Sequence, residues 1–297
     1  MGITRVAPLS AYAVVAVTGR DARTFLQGQL SNDILGLERH PGMLAASCNR
    51  QGRVLATLRL AAEGDDVLLV LQRKLAHTLV AQLSAFVLRA QVGFEDRSHG
   101  LQVAGLLDAE PDARWSQAAA AAAGLAMLVA SPRRILLAGA RTALDAALAA
   151  IPRTTPDDWD RTCVSDGEPA IMPATAALWL PQMLNLDLIG GISFGKGCYV
   201  GQEVVARAQH LGRLKRRMLR YVGPPEIALQ PAQALFSGEA LAAQVVAAAR
   251  DESSTQCLAV VELRFCSDLL GAKPGGSEFV PADLPYAIPA PASNGDD

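Results

Sequence analysis

The run AASCNRQGRVLATLRLAAEGDDVLLVLQ, Ala45 to Gln72, constrains the fold more than any other stretch. It holds three apolar segments separated by the turn signals NRQG and EGDD. Connections this short join antiparallel neighbours, because a parallel pair needs a crossover of about a dozen residues or more. The run therefore reads as an antiparallel meander. Upstream, AYAVVAVTGRDARTFLQGQLSNDI reads as strand, turn and helix. Its valines give the strand and Thr18-Gly19 the turn; Ala22, Phe25, Leu26 and Leu30 share one helical face. Ser31 to Asp33 can cap the next turn.

Further along, Lys74 to Leu88 has helical spacing, Leu101 to Leu106 and Arg134 to Leu137 read as strands, and a helix is expected around Thr142 to Ala149. The alanine-rich WSQAAAAAAGLA reads as a weak helix in a tolerant insert, without chemistry. IPRTTPDD marks a boundary, with an Asp cap before Trp159. After GRLKRR come short β-like runs at Met218 to Val222, Gln244 to Ala249 and Cys257 to Phe265, which predict a small C-terminal β domain. The polar tail PAPASNGDD is expected to be disordered. The whole reads as α+β.

A chain of 297 residues is long for one core, so two or three domains are expected. The net charge of −2 gives no global attraction to nucleic acid or to an anionic membrane, so nucleic-acid contact would need a local patch. Five cysteines, Cys48, Cys163, Cys198, Cys257 and Cys266, are scattered and include no C-x-x-C pair. That argues against a disulfide framework, a structural zinc site and a resident cluster, and fits a reducing, cytoplasmic setting. Ala11 to Val17 is read as a strand rather than a signal-peptide core, and no apolar run is long enough to span a bilayer.

The segment GISFGKGCYVGQEVVAR, Gly191 to Arg207, is the chemical centre of the sequence. Four of the cysteines read as small core hydrophobes. Cys198 differs. Glycines on both sides favour unusual backbone angles or close approach by a ligand. QEVVARAQHL has helical spacing, so the thiol falls just before a helix N-terminus. The helix dipole and Lys196 would both favour a thiolate there. Gly195-x-Gly197-x-x-x-Gly201 is one residue too long for a dinucleotide fingerprint and lacks its βαβ setting. The basic run GRLKRRMLR carries Arg213, Lys215, Arg216, Arg217 and Arg220. It reads as a solvated helix end; the alternative is a positive patch for a folate tail, an RNA backbone or an acidic partner.

KGCYVGQEVVAR resembles the signature K-G-C-Y-x-G-Q-E of the YgfZ family, folate-binding proteins of iron–sulfur cluster maintenance. PQMLNLDLIGGISF, VTGRDARTFLQGQLSNDI and CNRQGRVLATLRL resemble other blocks of that family, so the resemblance reaches from Tyr12 to Arg207. It implies a fold similar to the T-protein of the glycine cleavage system: an antiparallel, partly ferredoxin-like body around a folate pocket, with a C-terminal β-barrel. The implied division is 1–46 plus 153–212 as folate-binding body, 47–152 as ferredoxin-like subdomain, 213–288 as barrel and 289–297 as tail. Cys198 falls on the residue the family requires, with Lys196 beside it.

The resemblance also implies tetrahydrofolate as cofactor, iron–sulfur enzymes as clients, and among these a radical enzyme that methylthiolates tRNA. Folate contact falls on Trp159 and on Tyr12, where the sequence departs from the family's tryptophan. Both are equally readable as core residues. Gln182 and Asn185 have amides that would hydrogen-bond a pterin or cap a turn. Glu203 would be an acid–base group, or a first-turn glutamate favoured by the helix dipole. Two other functions fit the same sequence. One is a tetrahydrofolate-dependent aminomethyl or methyl transferase in which Cys198 is incidental. The other is a noncatalytic adaptor that binds clients through the basic run.

Overall fold

A computed structural model describes residues 2–40, 42–112, 114–210 and 214–289. The first elements are Arg5–Pro8 (β1), Tyr12–Thr18 (β2), Ala22–Gln27 (α1), Met43–Cys48 (β3), Val54–Glu63 (β4), Asp66–Gln72 (β5) and Arg73–Ser84 (α2). There follow Gly93–Asp96 (β6), Leu101–Leu107 (β7), Gln117–Ala122 (α3), Leu125–Ser131 (β8), Arg134–Ala140 (β9), Arg141–Leu148 (α4), Pro156–Ser165 (α5) and Gln202–His210 (α6). The last are Arg216–Gly223 (β10), Ala234–Ser237 (β11), Ala240–Arg250 (β12), Thr255–Glu262 (β13) and Val280–Ala282 (β14).

Two compact units result. The first comprises Met1–Cys48, Leu55–Trp159 and Gly191–Val200; the second comprises Asn49–Val54, Asp160–Gly190 and Gly201–Asp297.

The first unit contains two antiparallel sheets. The meander read from Ala45 to Gln72 is present as β3, β4 and β5, and the sheet order is β3-β4-β5-β2-β6. Most of β4 alternates buried and half-buried residues, so one face covers the core. The central strands β2 and β5 are buried at all five interior positions, in register Val15 to Leu69. This is the pattern of strands covered on both faces, which explains their unbroken valines and leucines. The second sheet has the order β1-β7-β9-β8. Val6, Leu106, Met127, Ile135 and Leu137 form its core with Leu144 and Leu148 of α4.

The alanine-rich stretch is helical, as read, and Ser116 Oγ caps it by accepting from the amide of Ala119. Its last residues correct the reading of a mere insert. Gly124, at φ +70°, reverses the chain, and Leu125 opens β8, which pairs with β9 inside the core.

The second unit is built on an antiparallel sheet with the order β11-β12-β13-β10-β14. Tyr221, Leu235, Val245, Val261 and Phe279 form its core. No closed barrel is found among the described residues. Single bridges, Phe236 to Gly271 and Leu270 to Phe279, link the β11 edge to the residue before β14. Gly201 stands at φ +83°, and a Cβ there would lie 2.4 Å from the carbonyl oxygen of Asn49, so this position requires glycine. The tail from residue 290, with Leu211 and Arg213, lies outside the described residues. Among the described residues no helix is long and apolar enough to cross a membrane.

Candidate functional site

The signature loop, Gly191 to Val200, is held against the segment that follows α1. Ser31 is the central node. Its Oγ donates to the carbonyl of Gly191 at 2.6 Å and accepts from the amide of Ala46 at 2.8 Å. Its own carbonyl accepts from the amide of Ser193 at 3.0 Å, and at the far end Val200 N–H donates to Gly28 at 3.3 Å. Between these ties the loop alternates: Lys196 and Tyr199 point inward, while Phe194, Gly195, Gly197 and Cys198 are exposed.

Lys196 is 9% exposed, and its ammonium donates to three carbonyls, Gln27 at 2.5 Å, Leu30 at 2.7 Å and Asn32 at 2.8 Å. It also lies 5.1 Å from the centre of the Tyr199 ring, a cation–π distance. Burial pulls its pKa down to about 8, and the charge of Asp33 opposes that shift. An ammonium has three N–H donors, and all three are committed to backbone. In this arrangement Lys196 fixes the loop that carries Cys198.

The five thiols fall into two groups. Burial pushes Cys48 and Cys257 up to about 12, and Cys163 is buried as well. These three are the small core hydrophobes the sequence suggests. Cys198 and Cys266 are exposed. Cys266 corrects the expectation of core filler, because β13 ends at Glu262 and the thiol follows a 3₁₀ turn, Leu263–Phe265, that has no buried residue.

Tyr12 and Trp159 are brought together. The indole N–H donates to the Tyr12 hydroxyl at 3.3 Å. Trp159 is 1% exposed; a Cβ on Gly105 would meet its ring at 2.4 Å, and the Arg134 guanidinium lies 5.0 Å from its centre. Trp159 thus has no open ring face in this conformation, whereas Tyr12 is half-buried. Gln182 and Asn185 are fully buried in the second unit. Gln182 Nε2 donates to the carbonyl of Val205 at 2.7 Å, while its Oε1 lacks a protein partner. Asn185 stands at φ +59° and ends the 3₁₀ turn Pro181–Leu184 through its left-handed backbone, not through its amide. Its Nδ2 donates to Met218 at 2.7 Å. Glu203 sits exposed in the first turn of α6 and pairs with Arg207 at 3.2 Å.

The basic run is not a solvated helix end. From Arg216 it is strand β10, so its side chains alternate between faces. Arg216 pairs with Glu262 at 2.7 Å on the surface. Arg217 turns inward and holds Asp187 through two bonds of 2.7 and 2.9 Å, and donates to the carbonyl of Gln182 at 2.7 Å. Arg220 donates to Gln256 Oε1 at 2.8 Å. In the sequence Ser31 reads only as a turn cap and Asp187 has no role, because the partners that make both central are distant in sequence.

No family model matches the chain. Its fold is that of the glycine cleavage T-proteins. The aminomethyltransferase T of the glycine cleavage system from Bartonella henselae superposes with a TM-score of 0.71 at 14% identity, over 96% of this chain and 86% of that one. Relatives by sequence narrow the class. A tRNA-modifying protein YgfZ of Escherichia coli is 30% identical over 240 residues, which cover 72% of this chain and 71% of the relative. Its counterpart in Colwellia psychrerythraea is 28% identical over 223 residues, covering 71% and 69%. The chain belongs to the YgfZ family.

Proposed function

We propose that this protein supports the assembly or repair of iron–sulfur enzymes in a folate-dependent way, through a reactive thiol at Cys198. Its clients would include radical enzymes that methylthiolate tRNA, and it would work in the reducing cytoplasm. The relatives are named for tRNA modification, and the fold is shared with an aminomethyltransferase. The observation that carries the reading is the presentation of Cys198: an exposed thiol on a loop pinned by Ser31, Lys196 and Val200. A thiolate on such a loop meets a partner directly, while the buried thiols cannot.

Tetrahydrofolate would find a half-buried phenol at Tyr12, with Trp159 behind it as a fixed wall. Gln182 and Asn185 belong to the second unit and are not part of this pair; the Asn185 amide is committed to the Met218 carbonyl. Folate supplies one-carbon carrier chemistry when bound; the role of this chain's own residues is to hold it and to present the thiol.

The T-protein likeness supports a second reading, a tetrahydrofolate-dependent aminomethyl or methyl transferase. An adaptor docking through Arg213, Lys215, Arg216 and Arg217 has less support, because Arg217 is buried against Asp187. Deletion of the gene, followed by complementation with wild type and Cys198→Ala, tests all three. The proposal expects loss of iron–sulfur enzyme activity and tRNA methylthiolation, restored by wild type alone. Equal rescue by both sinks the thiol reading and leaves the transferase.

A further inference from the structure

We propose that the second unit carries a binding groove for a small organic carboxylate with an aliphatic body, whose carboxylate sits on Arg220. The groove, about 610 Å³, lies between β10, β14 and the segment 283–288, all parts of the second unit. That volume is of the order of small-molecule sites, roughly 300–1,000 Å³. Its walls are largely aliphatic, with Leu219, Ala282, Leu284 and Ile288 among them. The outer wall is tied down at two points. Tyr286 Oη donates to the carbonyl of Gly167 at 2.8 Å and accepts from Asn185 Nδ2 at 3.3 Å. Arg220 Nη1 donates to the carbonyl of Asp283 at 3.1 Å. The groove is therefore preformed.

The charge of Arg220 is what singles the groove out. Strand β10 carries Arg216, Arg217 and Arg220. Arg216 has Glu262 as counter-charge and Arg217 has Asp187. Arg220 has neutral acceptors, the Asp283 carbonyl and Gln256 Oε1 at 2.8 Å, and among the described residues no carboxylate forms an ion pair with it. Asp283 lends its carbonyl while its side chain is exposed. Gln256 is 8% exposed and accepts from Ser165 Oγ at 3.2 Å as well, which fixes the guanidinium in place. Those two bonds leave other N–H donors of the guanidinium unused, and Nε, closed off from solvent, has no acceptor. An arginine stays charged at any working pH. A fixed, uncompensated guanidinium against aliphatic surface selects a ligand that brings both complements: a carboxylate for the charge and a hydrocarbon body for Leu219, Leu284 and Ile288. Inorganic phosphate has only the first and an alcohol only the second.

Cys266 lines the same groove and is exposed, so its labelling by iodoacetamide reports occupancy. Cys198, exposed in the first unit, is the internal control when labelled peptides are resolved by mass spectrometry. The probe is octanoate, compared with 1-octanol and inorganic phosphate. Octanoate should slow labelling of Cys266 and leave that of Cys198 unchanged. The other two should need about tenfold higher concentration or more, the factor that a hydrogen bond to a charged group contributes. Arg220→Met should weaken octanoate by the same factor. Ala282→Glu covers the case in which that variant fails to fold. Ala282 pairs with Arg220 between β14 and β10, so a carboxylate there meets the guanidinium from within. This variant should keep or raise the thermal midpoint and lose protection by octanoate. No protection of the wild type by octanoate overturns the proposal, and so does equal protection by octanol. Protection that survives Ala282→Glu overturns it as well. Faster labelling of Cys266 after deletion of residues 290–297, with no probe present, would make the chain's own acidic tail the occupant and overturn the free carboxylate.

Discussion

Each unit buries one cation, and each holds it differently. Lys196 in the first unit is held by three backbone carbonyls. Arg217 in the second is held by a carboxylate, Asp187, through a two-bond fork. A carbonyl offers only part of a charge, so an ammonium among carbonyls stays sensitive to burial, and its pKa falls to about 8. A guanidinium on a carboxylate is met by a full counter-charge. The first arrangement anchors a surface loop that bears a thiol; the second ties a strand to a turn in the core. Buried positive charge therefore does not mark function by itself.

The contrast can be broken from its stronger side. Asp187→Ala would leave Arg217 buried without its counter-charge, and is expected to lower stability by about 3–5 kcal/mol in urea unfolding. A loss under 1 kcal/mol, by the same principle, would mean that water reaches the guanidinium. Lys196→Met should be milder, about 1–3 kcal/mol, since it strands carbonyls rather than a charge. Its signature is local. The amides of Ser193 and Val200 should exchange with deuterium faster than those of β2, and uniform acceleration would contradict an anchoring role.

The pH dependence is smaller and has a definite sign. The folded chain releases the Lys196 proton near 8, and the unfolded chain releases it near the ordinary lysine value of about 10.4. Between these values the unfolded state binds more protons, so the lysine's contribution to stability rises with pH. The stability of wild type minus that of Lys196→Met should therefore grow from about pH 8 to 10; a flat difference would mean that the carbonyls hold the proton against burial. Smallest of all, Arg216→Ala should change stability by about 0–1 kcal/mol, because its pair with Glu262 is half open to water.

The strands that the sequence reveals are the ones with a clear apolar pattern: β2, β3, β4, β5, β7, β9, β10, β12 and β13. The strands missed were β1, β6, β11 and β14, which have three or four residues each, and β8, masked by the alanine run before it. Short edge strands carry too few periods to be read. That Cys198 is not core filler was legible, because glycines on both sides disfavour regular packing. The three partners of Lys196 were not legible, because they are carbonyls, which any residue supplies and no sequence displays. Arg217 was misjudged because one residue's difference in a strand turns a side chain from surface to core, and its carboxylate lies 30 residues upstream.

The three bonds from Lys196 to the carbonyls of Gln27, Leu30 and Asn32 span 164 to 169 residues of chain. During synthesis from the N-terminus, Gln27, Leu30 and Asn32 emerge long before the lysine that will engage their carbonyls. Contacts of such separation form late, since the entropy of closing the intervening chain must be met first. The first unit can complete its thiol-bearing corner only after both of its sheets have been made. Cys198 thus reaches its presented geometry when nearly everything around it already has structure, and a ribosome-bound fragment ending before residue 190 would carry the cradle without the thiol.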